Sequence, residues 1–240
     1  MSEEALVAAL RRTRLGELPE RCGADAAPGL AIEDEWRDWS SQPTTPDQLA
    51  IERYLAGHDL SEKRILHVGV GNSSLARRFA GRAKEIVGLT VAPEEFALAE
   101  RLAIANYRVV LHNKHVGADA GVRGPFDFIV DNNPTTFACC LTHFAAMLGS
   151  YAAMLAPYGQ ILTERRGLAW VHDETCDPRW SFDFTDWAAA GAPLGLRAWR
   201  RGGVYVLARR RPALPAPSFW LGLARQRIAA ALAPLAAGAD

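Results

Sequence analysis

The chain has 240 residues, 49% hydrophobic and 22% charged, the make-up of a soluble globular protein that can bury a full core. Its 27 basic and 27 acidic residues cancel, so no whole-molecule field draws it to nucleic acid or to an acidic membrane. The four cysteines are Cys22, Cys139, Cys140 and Cys176. They show no CxxC spacing, and neighbours such as Cys139 and Cys140 rarely bridge each other, so a reducing cytoplasm is the expected setting.

The N-terminal stretch MSEEALVAALRRTRLGELPE begins acidic and has no long apolar core, unlike a secretory signal. Residues 1–60 read as a helical cap or substrate lid. They hold a short amphipathic helix, a Gly/Pro-containing link, an aromatic segment from Trp36 to Trp39, and a helix from Pro46 to Ala56. Thr45 or Asp47 can cap that helix, and Pro46 suits its first turn. Four short apolar runs follow, as expected of strands buried on both faces: Ile65–Val68, Glu85–Leu89, Val109–His112 and Phe126–Asp131. The first leads into Gly69-Val70-Gly71, where a missing Cβ lets the chain turn tightly and bring backbone N–H groups to a nucleotide-like ligand. Pro93–Ala105, rich in Glu, Ala and Leu, is expected to be a helix.

Thr136–Ala156 carries no charge over about twenty residues, near the length of a membrane span. Thr142, His143, Gly149 and Ser150 interrupt it, and strands flank it. It is therefore expected to be a helix that covers a sheet and stops at Pro157 and Gly159. A fifth strand, Gln160–Thr163, precedes an expected loop, RRGLAWVHDETCDPRW, and a helix over Phe184–Ala190. Leu196–Arg200 and Val204–Arg209, joined by Arg201-Gly202-Gly203, form an antiparallel hairpin that closes a unit spanning residues 61–211. Beyond Pro212–Pro217, residues 212–240 carry an amphipathic helix with Phe219, Trp220 and Leu223. It is expected to pack on its own domain or to join two copies as a homodimer, in preference to a membrane.

Over residues 60–210 the chain resembles a class I S-adenosylmethionine-dependent methyltransferase. ILHVGVG is similar to that family's first motif, FDFIVDNNP to its fourth, and LAPYGQILTE to its strand-five motif. The closing hairpin matches the reversed final strand. The resemblance implies a doubly wound, Rossmann-like α/β sheet of seven strands, six parallel and one antiparallel, in the order 3-2-1-4-5-7-6. Its ligand would lie at the C-terminal ends of strands one and four. The resemblance also implies S-adenosyl-L-methionine as cofactor and methyl transfer to N or O of a small-molecule metabolite. The cofactor contacts it implies are His67, Gly69, Val70, Gly71, Ser73, Thr90, Glu95, Asn113 and Asp131.

Three positions depart from the family pattern. His67 stands two places before the first glycine, where an acid is usual. Thr90 ends the second strand, where a carboxylate usually holds both ribose hydroxyls. The third strand runs into His112-Asn113-Lys114, where an Asp near the adenine is common. A carboxylate–diol contact is charge-assisted and stronger than a neutral one, so compensation is expected. IVGLTVAPEEFALAE resembles the matching stretch of cyclopropane fatty acid synthases, in which Gly-x-Thr ends the strand and a Gln five residues later helps hold the adenosine. Here that position is Glu95, which makes Thr90 with Glu95 the candidate ribose site, whereas Glu94 suits a helix's first turn.

For the chemistry, Asp131 is a candidate to face the methionine ammonium or the acceptor. Asn133 is a candidate to accept a hydrogen bond from an acceptor amine or hydroxyl. Asn133-Pro134-Thr135-Thr136-Phe137 distantly resembles the Asn-Pro-Pro-Tyr motif of amino-group methyltransferases. His143 is the first candidate base, since an unperturbed imidazole titrates near neutrality, and His172, beside Asp173 and Glu174, is the second. Trp36, Trp39, Trp170 and Trp180 suit either an aromatic pocket or the core. Metal-dependent O-methyltransferases place an Asp-Asn pair after strand five. Here that region reads Thr163-Glu164-Arg165-Arg166, so no metal is expected. Two further readings stay open: a non-methylating use of the same cofactor (aminocarboxypropyl transfer, cyclisation or a pericyclic reaction) and a non-catalytic methyltransferase-like subunit. The terminal hairpin and missing ribose acid disfavour a nicotinamide dehydrogenase.

Overall fold

The computed structural model describes residues 1–22, 39–117, 121–136, 138–171 and 177–209. Helices α1 (Glu3–Leu10) and α2 (Pro46–Ala56) precede strand β1 (Arg64–Val68). Then come α3 (Ser74–Phe79), β2 (Glu85–Thr90), α4 (Pro93–Leu102), β3 (Tyr107–Leu111) and β4 (Phe126–Asp131). The chain continues through α5 (Leu141–Met154), β5 (Leu155–Glu164), α6 (Arg165–Ala169), α7 (Phe184–Gly191), β6 (Arg197–Arg201) and β7 (Val204–Ala208).

The strands form one seven-stranded sheet in the order β3-β2-β1-β4-β5-β7-β6. β7 runs antiparallel to β5 and β6, and the other pairs are parallel. This is the order that the motifs imply. Because β1 pairs with β2 on one side and β4 on the other, the loops leaving β1 and β4 diverge and open a crevice at the strands' C-terminal ends.

Period-two alternation assigns each strand's side chains to two cores. Leu66, Val87, Ile129, Ile161 and Leu207 point to one face, under α1, α5 and α7. Ile65, Ile86, Phe128, Val130, Leu162 and Val206 point to the other, under α2 and α3. α1 therefore belongs to the main core: Leu6, Val7 and Leu10 are buried in the same cluster as Phe144, Leu148 and Tyr151 of α5. The boundary expected at residue 60 marks no break, and residues 1–210 form one compact unit.

The uncharged segment differs from expectation at both ends. Thr135 and Thr136 donate their hydroxyls to the carbonyls of Leu168 and Trp170 at 3.2 and 3.3 Å, which holds this stretch out of the helix. α5 therefore starts at Leu141 and has 14 residues. It lacks charge because the sheet buries one flank and α1 the other. β5 begins at Leu155, before Pro157, because the register slips between Phe126 and Phe128, and a bulge tolerates a proline that a regular ladder would not. Gly159 allows this approach, since a Cβ there would lie 2.6 Å from the Phe126 carbonyl oxygen. The expected loop after β5 opens with α6. Among the described residues no helix is long and apolar enough to cross a membrane. Trp36, His172, Cys176 and the amphipathic helix expected over 212–240, with its homodimer contact, lie outside the described residues.

Candidate functional site

A cavity of about 660 Å³ opens at the crevice between the ends of β1 and β4, a size usual for a small-molecule site. Its floor is the turn after β1. Gly69 (φ +72) and Gly71 (φ +49) adopt left-handed backbone, and the Gly69 N–H closes the turn onto the Leu89 carbonyl at 2.8 Å. A Cβ on Gly69 would meet nothing within 4 Å, so the backbone there is open to a ligand. Val70 also lines the cavity. Ser73 does not: its hydroxyl is fully buried against the Tyr107 hydroxyl at 3.0 Å, so it braces β3 behind the turn.

Helix α4 brings a carboxylate, Glu95, to the cavity wall beside the end of β2. Pro93 sets the helix start and brings Glu95, two residues on, back beneath the glycine turn. One Glu95 carboxylate oxygen accepts the Thr90 hydroxyl at 2.7 Å and the Gly71 N–H at 3.1 Å. Thr90 Oγ1 in turn accepts the Ala92 N–H at 3.1 Å. Thr90 and Glu95 are thus one hydrogen-bonded unit on the cavity wall.

His67, on β1, is buried and lies 3.4 Å from the Gln48 amide through Nε2. Burial pushes its pKa down to about 4, so it is neutral at physiological pH. Its Nδ1 has no partner among the described residues, which leaves a polar atom for a ligand to satisfy. Asn113 ends β3's extension and accepts the His115 N–H at 2.9 Å, which starts a tight turn over Lys114–Val116.

That turn changes the role expected of Asp131. The Lys114 ammonium donates to both Asp131 oxygens at 3.0 and 3.1 Å and to the Asn133 carbonyl. The Tyr151 hydroxyl donates to Asp131 at 2.8 Å and the Asn133 N–H at 3.2 Å. Asp131 lines the cavity, but its lone pairs are engaged by the protein itself rather than pointing toward an incoming ammonium. Burial lowers the Lys114 pKa from its ordinary value, and the Asp131 charge opposes that shift.

Asn133 also lines the cavity and donates its amide to the Gly167 carbonyl at 3.2 Å. Asn132 donates to the Asp47 carboxylate and accepts the Glu164 N–H at 3.3 Å, tying α2 to the end of β5. Gly167 makes this junction possible: a Cβ there would sit 2.2 Å from the Asn132 carbonyl oxygen. Trp39 and Trp170 line the cavity, whereas Trp180 is in the core, stacked on Phe182 at 5.8 Å between centroids. His143 corrects the first base candidate. Its Nδ1 faces Cys139, Cys140 and Cys22 at 3.0, 3.4 and 3.5 Å, and it does not line the cavity. Lining residues that sequence reasoning missed include Asp47, Gln48, Lys114 and Arg166. The one signal for the first two was their place in the first turn of a proline-started helix.

The strand order and the cavity's position define the class I methyltransferase fold. Solved structures share it at low identity. The sugar N-methyltransferase KedS8 from Streptoalloteichus sp. superposes with a TM-score of 0.53 at 16% identity, over 71% of this chain and 89% of that one. CalS10, an amino pentose methyltransferase from Micromonospora echinaspora, gives 0.52 at 18% identity, over 80% and 100%. The N-methyltransferase NodS from Bradyrhizobium japonicum gives 0.51 at 17% identity, over 74% and 92%. No protein-family model and no curated protein sequence matches the chain.

Proposed function

We propose that the chain is an S-adenosylmethionine-dependent methyltransferase acting on N or O of a small metabolite. The observation that carries this reading is the Thr90–Glu95–Gly71 unit, which restores a carboxylate to the wall beside the open glycine turn. The cavity fits the cofactor in three respects. Gly69 presents bare backbone, Glu95 supplies an anionic acceptor for a diol, and His67 stays uncharged beside a group that is itself cationic. When bound, the cofactor supplies an activated methyl on a sulfonium. The protein's contribution is to hold an acceptor in line with it and to exclude water.

The acceptor side is built from Asp47, Gln48, Asn132, Asn133, Arg166 and Trp170. These polar groups converge on one wall, as suits a hydroxylated or amino-bearing metabolite. Asp47, fixed by Asn132, gives this wall a carboxylate that can pair with an amine acceptor, beside the Arg166 guanidinium. The N-methylating enzymes among the structural relatives support that preference. The test is calorimetric titration of the purified chain with S-adenosylmethionine and S-adenosylhomocysteine. Binding of neither ligand removes the reading and leaves the non-catalytic subunit in its place.

A second reading is favoured by the Lys114–Asp131 pair alone. With Asp131 already paired to Lys114, the carboxylate that was the candidate to hold the cofactor's amino-acid end is engaged, which leaves that end free for transfer. In aminocarboxypropyl transfer the acceptor bonds to the carbon γ to the carboxylate, the carbon–sulfur bond breaks, and methylthioadenosine leaves. Product analysis separates the two: S-adenosylhomocysteine marks methylation and methylthioadenosine marks the alternative.

A further inference from the structure

Three thiols and an imidazole converge at the amino end of α5, and none of the four residues lines the cavity. The Sγ atoms of Cys22, Cys139 and Cys140 and a ring nitrogen of His143 all lie within 4.8 Å of one another. We propose that they form a zinc site, a closed Cys₃His centre that fastens the segment Pro19–Cys22 to the loop between β4 and α5.

Local backbone geometry brings the ligands together. Cys140 is the N-cap of α5 in extended backbone (φ −161, ψ 164), and His143 lies in the first turn of the helix, where its Nδ1 comes within 3.4 Å of Cys140 and 3.0 Å of Cys139. Cys22 arrives from far away in sequence. The Leu141 N–H donates to the Pro19 carbonyl at 2.8 Å, and the Thr142 N–H donates to the Glu20 carbonyl at 3.1 Å. The Thr142 hydroxyl adds a second bond to the Glu20 carbonyl at 2.8 Å. Two residues later the chain delivers the Cys22 thiol to the cluster.

The dimensions suit a tetrahedral ion. Zinc–sulfur bonds of about 2.3 Å and a zinc–nitrogen bond of about 2.0 Å place sulfurs about 3.8 Å apart and sulfur about 3.5 Å from nitrogen. Here Cys139 and Cys140 sulfurs are 3.9 Å apart, and His143 Nδ1 lies 3.4 and 3.5 Å from Cys140 and Cys22. The 3.0 Å Cys139–His143 contact must open by about 0.5 Å, and the wider separations in the cluster, which reach no further than 4.8 Å, must close toward about 3.8 Å. Soft thiolates with one imidazole select zinc over magnesium or calcium, and four protein ligands leave no open position, so the role is structural. On binding, each thiol gives its proton to solvent as a zinc–sulfur bond forms, with no change of oxidation state. Three thiolates, a neutral imidazole and Zn²⁺ sum to one negative charge, which the amino terminus of a 14-residue helix stabilises. The centre would hold the loop whose earlier residues, Asn133 and Thr136, line the cavity.

The test uses the full chain and zinc or cobalt alone, so it does not depend on catalysis. The protein purified under reducing conditions without chelator should release about one zinc per chain, and zinc should protect three thiols from alkylation. Cobalt replacing zinc should give tetrahedral d–d bands and sulfur-to-cobalt charge transfer. Cys22→Ser and Cys140→Ser should each lower that charge transfer by about a third and weaken zinc binding at least about tenfold. Absence of stoichiometric zinc, a cobalt spectrum without thiolate charge transfer, or a spectrum unchanged in both variants would overturn the site. Should a variant fail to fold, the wild-type cobalt spectrum and the count of protected thiols decide the matter.

Discussion

Glu95 is where a single side chain decides most. Its carboxylate holds the hydroxyl that ends β2 and the amide that shapes the glycine turn. Hydrogen bonds to charged groups contribute about 1.5–3 kcal/mol each, so Glu95→Ala should raise the S-adenosylmethionine Kd roughly 10- to 100-fold. Calorimetry on Glu95→Ala and on Thr90→Ala/Glu95→Ala checks this, and unchanged affinity in the double variant would remove the pair from the site. His67 gives a pH signature. Its folded-state pKa of about 4 lies below the 6.5 of an unfolded histidine, so the unfolded chain takes up its proton first as pH falls. The stability contributed by neutral His67 is complete above pH 6.5 and is lost between 6.5 and 4, about 3 kcal/mol in all. Denaturant unfolding at stepped pH should show a slope shallower by about one proton in His67→Asn across that window.

At the scale of elements, the junction of β4, β5 and α6 leaves no room for a side chain at Gly167. Gly167→Ala would drive a methyl group into the Asn132 carbonyl and amide, so α6 or the β4 loop must shift. Overpacking of this kind costs about 1–3 kcal/mol, and the displaced Asn133 should lower kcat more than it raises the cofactor Kd. Steady-state kinetics beside cofactor titration would show the split. The strands were legible in the sequence because runs such as Ile65–Val68 and Phe126–Asp131 are apolar and short, and the hairpin because Gly202-Gly203 marks its turn. The start of α5 was not legible, since the Thr135 and Thr136 hydroxyls bond to carbonyls more than thirty residues away. The Thr90–Glu95 pair was readable because both members lie five residues apart on one strand–helix turn. The Lys114–Asp131 pair, the approach of Cys22 to His143 and the contact of Asp47 with Asn132 join segments distant in sequence, which no local pattern encodes.

For the molecule as a whole, a ligand that binds only the folded state must stabilise it. At 100 times its Kd, S-adenosylmethionine should add about 2.7 kcal/mol. For a unit of this size that corresponds to a Tm rise of roughly 5–10 °C by scanning calorimetry, and no rise would argue against a cofactor site.

The pairing of α1 with α5 also bears on how the protein should be handled. A shortened version beginning after residue 22 would discard Leu6, Val7, Leu10 and Leu15, all buried in the core, and strip one flank of the charge-free α5. That flank would then be a continuous greasy surface with no lysine or glutamate to keep copies apart. Light scattering should find the trimmed protein clumping at concentrations where the 240-residue chain stays dispersed, so residues 1–22 should be kept when the protein is prepared.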